Sequence, residues 1–226
     1  ITDAMQAYMS SGYLSYGPNE GMVEFREAMA GRYSKMLSKN AMPTGVCADQ
    51  VLAVNSAASG VYLVAKLLVR EGDEVLVMDP VDFLLQRSVT HVGGVLKPFS
   101  VIERDEDGAS WGPPRSKPID TIISDLTALV GSRTVLLSIC SPHNPLGRVW
   151  TDAELAKFAG FAKSHKLKVI SDEVWSDLVY EPAEFTPTLK YCEPGLLDVP
   201  EHRSGGCLDI SILATRTVGV WAFQLS

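Results

Sequence analysis

The residues of this chain that are best suited to chemistry are an asparagine and an aspartate that follow two predicted strands. Asn144 lies in the segment CSPHNPLGR at residues 140–148, and Asp172 lies in the triplet Ser-Asp-Glu one predicted helix later. An amide nitrogen can donate to a phenolic oxygen, and a carboxylate keeps a nearby ring nitrogen protonated because opposite charge favours the charged form. The pair therefore suits a flat, protonated heteroaromatic ring that carries a phenolic oxygen.

Each of these two residues also has a simpler structural interpretation. Asn144 stands between His143 and Pro145, and Asn-Pro-x-Gly is a typical turn sequence. A carboxylate directly after a strand often caps the helix that follows, which would account for Asp172. We interpret His143 as a loop histidine whose hydrogen bonds are satisfied rather than as a base. The occurrence of both side chains one strand–helix unit apart favours the functional interpretation.

A run of small residues, Ser-Ala-Ala-Ser-Gly at positions 56–60, joins a predicted strand to a predicted helix. Small side chains let an anion approach free backbone N–H groups, and the helix dipole favours negative charge at this end. Close packing of the helix against the strand is an equally good explanation of the same residues. The run is neither a Walker loop nor a GxGxxG fingerprint, so it gives little support to nucleotide binding.

Composition excludes several classes of partner. The chain has 226 residues with a net charge of −7, and its charged residues form no basic stripe of the kind that nucleic acid requires. No apolar run approaches the ~20 residues of a membrane span. The first residues, Ile-Thr-Asp, lack the layout of a signal peptide. We therefore expect a globular protein that binds neither nucleic acid nor membranes.

The cysteines predict neither a metal site nor a disulfide framework. They show no CxxC spacing and no zinc pattern with histidine. We expect thiols in a reducing compartment and hence a cytoplasmic protein, although a bridge between the third and fourth cysteine is left open. The four are Cys47, Cys140, Cys192 and Cys207.

Short apolar runs alternate with helical periodicity along the chain. Helices are predicted at about 22–39, 57–69, 83–91 and 119–130, and a further helix begins at the capping box of residues 151–154. Strands are predicted at 50–55, 74–79, 95–100, 134–140, 168–171 and 208–214. Residues 101–118 are predicted to form a surface loop, and the stretch from Tyr180 to Gly206 is predicted to be irregular.

This alternation predicts an α/β fold, a mostly parallel sheet with helices on both faces in three layers. In such sheets ligands collect at the carboxyl ends of the strands, where the helix N-termini also point. Asn55, Asp79, Asn144 and Asp172 all follow predicted strands, so we expect them at one edge of the sheet.

In these motifs the chain resembles the pyridoxal-phosphate enzymes of aminotransferase class I and II, the fold type I group. The resemblance runs from Tyr16 to Gln224 and rests on the ordered set Tyr16-x4-Gly21, Asn144-Pro-x-Gly147 and Asp172-Glu173. The segment Ser-Pro-His-Asn-Pro-Leu-Gly-Arg-Val-Trp is most similar in sequence to the cystathionine β-lyase-like, or C–S lyase, branch. The resemblance implies the large-domain fold of that family and pyridoxal 5′-phosphate as the cofactor.

The resemblance also implies roles for particular residues. Asp172 would pair with the pyridine nitrogen, and Asn144 with the oxygen of the ring 3-hydroxyl. Tyr16 would reach the phosphate of the neighbouring subunit's cofactor, which implies a homodimer. Trp175 stands where the family often has a tyrosine that contacts the ring hydroxyl. The residues that fall where the family cradles the phosphate are Ser56, Ala57 and Ala58.

Two further positions depart from the family pattern. Asp82 stands where an aromatic residue usually stacks on the ring, and we consider the adjacent Phe83 as its substitute. Arg216 stands where the family has the lysine that forms the Schiff base, while Gln224 fits the pattern eight residues later. A guanidinium stays protonated and is not an amine nucleophile, so it is suited only to holding a phosphate or a ring oxygen as a fixed cation. Lys190 is the last lysine of the chain and a weak alternative.

These observations lead to three hypotheses. In the first, residues 1–226 are a partial pyridoxal-phosphate-binding large domain, without the small domain, of an enzyme that acts on a small amino acid by transamination or C–S β-elimination. In the second, the chain is a degenerate, non-catalytic relative that lacks the Schiff-base lysine. The third, a flavin- or nucleotide-binding doubly wound domain, is disfavoured because the chain has no glycine fingerprint.

Overall fold

The structure is a computed structural model that describes residues 2–12, 16–39, 46–103, 115–191, 209–215 and 218–222. The helices are α1 (Thr2–Ser10), α2 (Val23–Lys39), α3 (Ala57–Leu68), α4 (Phe83–His91), α5 (Ile119–Leu129) and α6 (Asp152–Ser164). The strands are β1 (Val51–Val54), β2 (Glu74–Asp79), β3 (Val95–Ser100), β4 (Thr134–Cys140), β5 (Lys168–Asp172), β6 (Asp209–Thr215) and β7 (Val218–Ala222). Short 3-10 turns lie at Ala48–Gln50 and Thr188–Tyr191.

The seven strands form one sheet in the order β1-β7-β6-β5-β4-β2-β3. Strands β2 to β6 pair in parallel, whereas β7 is antiparallel to both β6 and β1. Strand β1 therefore runs in the same direction as β5. The carboxyl ends of β1, β2, β4 and β5 lie at the same edge, which is where the sequence predicts a site.

Helices cover both faces of the sheet, as the unbroken apolar strands predict. On one face, Val61 and Val64 of α3 pack with Leu85 and Val89 of α4 against the sheet. On the other face, α5 and α6 enclose a larger core centred on the buried Trp150. The α/β class with three layers is confirmed.

Most element boundaries agree with the sequence prediction to within one or two residues, but two elements were not predicted. Helix α1 has no buried residue, and Met5, Tyr8 and Met9 at helical spacing form an exposed apolar stripe that the sequence prediction did not use. Strand β7 follows β6 after only two residues, whereas the sequence pattern predicts β6 as the last strand. Its antiparallel direction completes the contact between β6 and β1. None of the helices in the described ranges is long and apolar enough to cross a bilayer.

Candidate functional site

The asparagine and the aspartate follow neighbouring strands at the carboxyl edge of the sheet. Cys140 at the end of β4 is in register with Asp172 at the end of β5, and the N–H of Ser141 donates to the carbonyl oxygen of Asp172 at 2.9 Å. The loop after β4 then folds back on itself, since Gly147 donates to the carbonyl of His143 at 2.7 Å. The N–H of Asn144 donates to Cys140 Sγ at 3.4 Å, so this loop holds Asn144 beside the end of β4.

His143 is buried within this loop and serves it structurally. Its Nδ1 accepts from the N–H of Leu146 at 3.5 Å. Burial and the nearby Arg148 together lower the pKa of the imidazole to about 4, so the ring is neutral. Its Nε2 is buried without a hydrogen-bond partner, so the prediction that the hydrogen bonds of this histidine are satisfied is wrong for that atom.

The carboxylate of Asp172 is largely removed from water. Its Oδ1 accepts from the N–H of Val174 at 3.1 Å. Burial raises the pKa of Asp172 to about 6, the Val174 N–H lowers it and the charge of Asp82 raises it. A cation beside a carboxylate with a raised pKa stabilises it, because an opposite charge favours the ionised form.

Asp82 links the two predicted residues. Its Oδ1 accepts from the N–H of Leu84 at 3.0 Å and caps α4, while its Oδ2 accepts from the side-chain amide of Asn144 at 3.1 Å. Asp82 and Asp172 line the same small cavity of about 20 Å³, which has room for a single water molecule. The sequence singled out Asp82 only as a departure from an aromatic residue, and no pattern connects two residues that are 62 positions apart.

Helix α3 directs its amino end toward the same edge, because β1 and β5 run in the same direction. Ser56 is its N-cap, and its Oγ accepts from the N–H of Ser59 at 3.1 Å. Ala57 and Ala58 follow in the first turn, and Val61 lines the cavity that Asp172 lines. The positive end of the helix dipole and the carboxylate therefore lie around one region.

Of the predicted site residues within the described ranges, only Asp172 lines this cavity; Asn144, Ser56, Ala57, Ala58, Phe83, Trp175 and Tyr16 do not. The ring of Phe83 is half exposed and lies under the guanidinium of Arg87 at 4.4 Å, so it does not line the cavity as Asp82 does. Trp175 is 41% exposed, and Tyr16 is fully exposed. Arg216 lies outside the described residues, as do Gln224 and the pair Cys192 and Cys207. Among the described residues, Asp82 contacts Asn144 and lines one cavity with Asp172 and with Val61 of α3.

The segment that follows Tyr16 is nevertheless fixed in place. The carbonyl of Glu20 accepts from the N–H of Ala53 in β1 at 3.0 Å. Gly21 has φ of +96°, and a Cβ at this position would lie 2.4 Å from the Cβ of Ala53. Only glycine fits both the backbone conformation and the close approach.

Glu173 is a buried carboxylate for which the sequence pattern predicts no separate role. Its oxygens accept from Ser171 Oγ at 3.1 Å, the N–H of Thr188 at 2.8 Å and the hydroxyl of Tyr33 at 3.2 Å. Burial raises the pKa of Glu173 to about 7, although the donors from Thr188, Ser171 and Tyr33 act in the opposite direction. Glu173 thus joins α2 and the 3-10 turn at Thr188–Tyr191 to the end of β5, directly beside Asp172.

The other reactive side chains near this edge are occupied or inert. Burial raises the pKa of the Cys140 thiol well above its usual range, which keeps the thiol protonated. The ammonium of Lys190 lies 2.6 Å from the carboxylate of Asp152, with which it forms an ion pair. No cluster of three or more His, Cys, Asp or Glu side chains within the described part of the chain is arranged to hold a metal ion.

The sequence model of the family "Aminotransferase class I and II" matches residues 1–204. This chain belongs to that family. An aspartate aminotransferase of Pyrococcus abyssi is 30% identical over 181 residues, which are 80% of this chain and 42% of that protein. A putative aminotransferase, YugH, of Bacillus subtilis is 27% identical over 186 residues, which are 82% of this chain and 44% of that protein.

Solved structures of aminotransferases show the same fold. N-succinyldiaminopimelate aminotransferase of Mycobacterium tuberculosis superposes with a TM-score of 0.75 at 25% identity, covering 98% of this chain and 53% of that one. Alanine aminotransferase of Pyrococcus furiosus gives a TM-score of 0.77 at 20% identity, covering 98% and 51%. The chain spans about half the length of the relatives that it matches. The relatives are aminotransferases, and none of these matches singles out the C–S lyase branch.

Members of this family depend on pyridoxal 5′-phosphate. The donor set at the edge suits that cofactor at three points, namely a buried carboxylate for a protonated nitrogen, a helix amino end for a phosphate and an amide for a phenolic oxygen. Asp82 is the exception, because it places a second carboxylate where the ring requires an apolar face.

Proposed function

We propose that this chain supplies the pyridoxal-phosphate-binding part of an aminotransferase that acts on a small amino acid. The single observation that carries the proposal is the carboxylate of Asp172, which lies largely buried at the carboxyl edge of the sheet with one backbone donor and a raised pKa. A buried carboxylate with so little hydrogen bonding is costly unless it gains a partner, and a protonated ring nitrogen is such a partner.

Asp172 is proposed to hold the proton on the ring nitrogen. When bound, pyridoxal phosphate supplies an electron-accepting ring that stabilises negative charge at the substrate's Cα. That capacity depends on the ring nitrogen being protonated. Asp172 stabilises the protonated nitrogen through its charge, and Glu173 fixes the backbone beside it by joining β5 to α2.

The amino end of α3 is proposed to bind the cofactor phosphate. Ser56 caps the helix, and Ala57 and Ala58 leave the backbone of the first turn accessible to an anion. Asn144 is proposed to donate to the ring oxygen, once its amide is released from Asp82. Phe83 and Trp175 stay proposed ring contacts, which their half-exposed side chains would make only after a change of position.

Transamination is the reaction we propose first, because each of the matched relatives named above is an aminotransferase. C–S β-elimination shares the same cofactor chemistry at Cα. It is supported by the sequence of the loop at residues 141–150, which resembles the C–S lyase branch. We further propose a cytoplasmic homodimer in which Tyr16, fully exposed in the single chain, contacts the neighbouring subunit. The free thiols of Cys47 and Cys140 agree with a reducing compartment.

A non-catalytic relative is the second candidate function. The observation that favours it is Arg216, which stands in the sequence where the family has its Schiff-base lysine. Under this alternative the edge of the sheet still binds the phosphorylated ring, while imine formation with an amino acid is lost because a guanidinium is not a nucleophile.

Equilibrium dialysis with 4′-deoxypyridoxine 5′-phosphate tests the proposal. This analogue has no aldehyde, so it cannot react with surface lysines and reports only non-covalent binding. We expect Asp172→Asn to weaken its binding by about tenfold or more, since a buried charge-assisted contact is lost. Asp73→Asn is the matched control, because Asp73 also accepts from a backbone N–H but lies at the opposite edge. Equal affinity of the two variants would refute the proposed role of Asp172.

A further inference from the structure

Asp82 accepts the hydrogen bond of the side-chain amide that the proposed cofactor would need as a donor. The side-chain amide of Asn144 donates to Asp82 Oδ2 at 3.1 Å, and the other carboxylate oxygen of Asp82 accepts from the N–H of Leu84. Both oxygens of Asp82 are therefore engaged, and the amide points at the carboxylate that caps α4.

The surroundings of Asp82 strengthen this contact. The described residues that line its cavity include the carboxylates of Asp82 and Asp172, the Cys140 thiol and the Ser138 hydroxyl, and the remaining lining residues are apolar. No cationic side chain is among those lining residues. The amide of Asn144 is consequently an important neutral donor for a carboxylate that also faces the charge of Asp172.

We propose that Asp82 competes with a ring-bearing ligand for the amide of Asn144 and thereby weakens the binding of pyridoxal phosphate at this edge. The proposal rests on the proposed function, since it concerns the same site. A phenolic oxygen can accept from Asn144 only after the amide leaves Asp82. Asp82 is thus a positioning residue that acts through Asn144.

Two roles of Asp82 can be separated by substitution, namely the cap that it provides for α4 and the charge that holds the amide of Asn144. Asparagine and serine are both good N-cap residues, so Asp82→Asn and Asp82→Ser retain a cap for α4 while removing the charge. In Asp82→Asn the acceptor that holds Asn144 is neutral and therefore weaker, and in Asp82→Ser the carboxylate is absent. In either variant a ligand oxygen competes more effectively for the amide of Asn144.

A double-mutant cycle between positions 82 and 144 tests the proposal in the 226-residue chain, with 4′-deoxypyridoxine 5′-phosphate as the probe and its dissociation constant as the readout. We expect Asp82→Asn to tighten binding by about tenfold, the scale of one hydrogen bond to a charged group. In the Asn144→Ala background the same change should alter binding by less than about twofold. Asp73→Asn controls for the loss of one negative charge.

Each other outcome overturns the proposal. An equal gain with and without Asn144 would mean that Asp82 acts by charge alone, and no gain or a loss would mean that it does not compete. If Asp82→Asn fails to fold, Asp82→Ser replaces it in the cycle. These results differ from a failure of the proposed function, in which wild type and Asp172→Asn would bind the analogue equally.

Discussion

At the scale of single residues, two adjacent acids at the end of β5 have different environments. Asp172 has one backbone donor and faces the cavity, whereas Glu173 has three donors and faces away from it into the contact with α2. Burial raises the pKa of both. We conclude that Asp172 is available for a ligand and that Glu173 supports its position.

Glu173 makes stability depend on pH. Its pKa is raised from 4.5 to about 7, so the folded protein binds its proton more tightly than the unfolded chain. The free energy of unfolding therefore decreases as the pH rises from about 4.5 through 7, by about 3 kcal/mol at most. We predict that Glu173→Gln, which keeps an acceptor for Thr188, removes the contribution of Glu173 and leaves the smaller decrease that Asp172 contributes.

Urea unfolding at pH 5 and pH 8 measures the effect of Glu173→Gln. The variant should gain stability relative to wild type at pH 8 and show little difference at pH 5. Glu24→Gln, an exposed residue of α2, controls for the loss of a charge. The same pH dependence in wild type and in Glu173→Gln would contradict the prediction.

At the scale of elements, local sequence signals and tertiary contacts agree along most of the chain. The capping box of Thr151 and Glu154 opens α6 as predicted, with the Thr151 N–H donating to Glu154 Oε2 at 2.8 Å. Helix α1 was not predicted although Met5, Tyr8 and Met9 have helical spacing. Strand β7 was not predicted because its direction is set by pairing with β1, which lies more than 160 residues away in the sequence.

The turn that leads into α2 depends on a single glycine. Gly21→Ala would place a Cβ 2.4 Å from the Cβ of Ala53 and would also strain the backbone at φ of +96°. We predict a loss of unfolding free energy of about 1–3 kcal/mol, because both the positive φ and the close approach disfavour alanine.

Gly31→Ala is the matched control for Gly21→Ala. Gly31 lies in α2, where an added Cβ meets nothing within 4 Å, so alanine should raise stability by up to about 1 kcal/mol. Thermal or urea unfolding of the two variants checks both signs. A neutral or stabilising effect of Gly21→Ala would mean that the segment after Tyr16 is not held against β1.

At the scale of the whole molecule, the sequence predicts which edge of the sheet the site residues share, and the structure adds which of them are in contact. The fold class, the parallel strands and the positions of Asn144 and Asp172 were predictable, because strand periodicity and motif order are local signals. The contact between Asp82 and Asn144 was not, since it depends on how α4 packs beside the loop after β4. The core on each face was partly predictable from the apolar strands, whereas the buried network of Glu173 depends on Tyr33 from a distant helix.

The central claim is that the assembled edge protonates the nitrogen of a bound pyridine ring through Asp172. The most direct measurement is the ¹⁵N chemical shift of 4′-deoxypyridoxine 5′-phosphate labelled at the ring nitrogen, bound to the chain at pH 8. We predict the shift of a protonated pyridine with wild type and that of a neutral pyridine with Asp172→Asn. A neutral nitrogen with wild type, or the same shift with both proteins, would contradict the account.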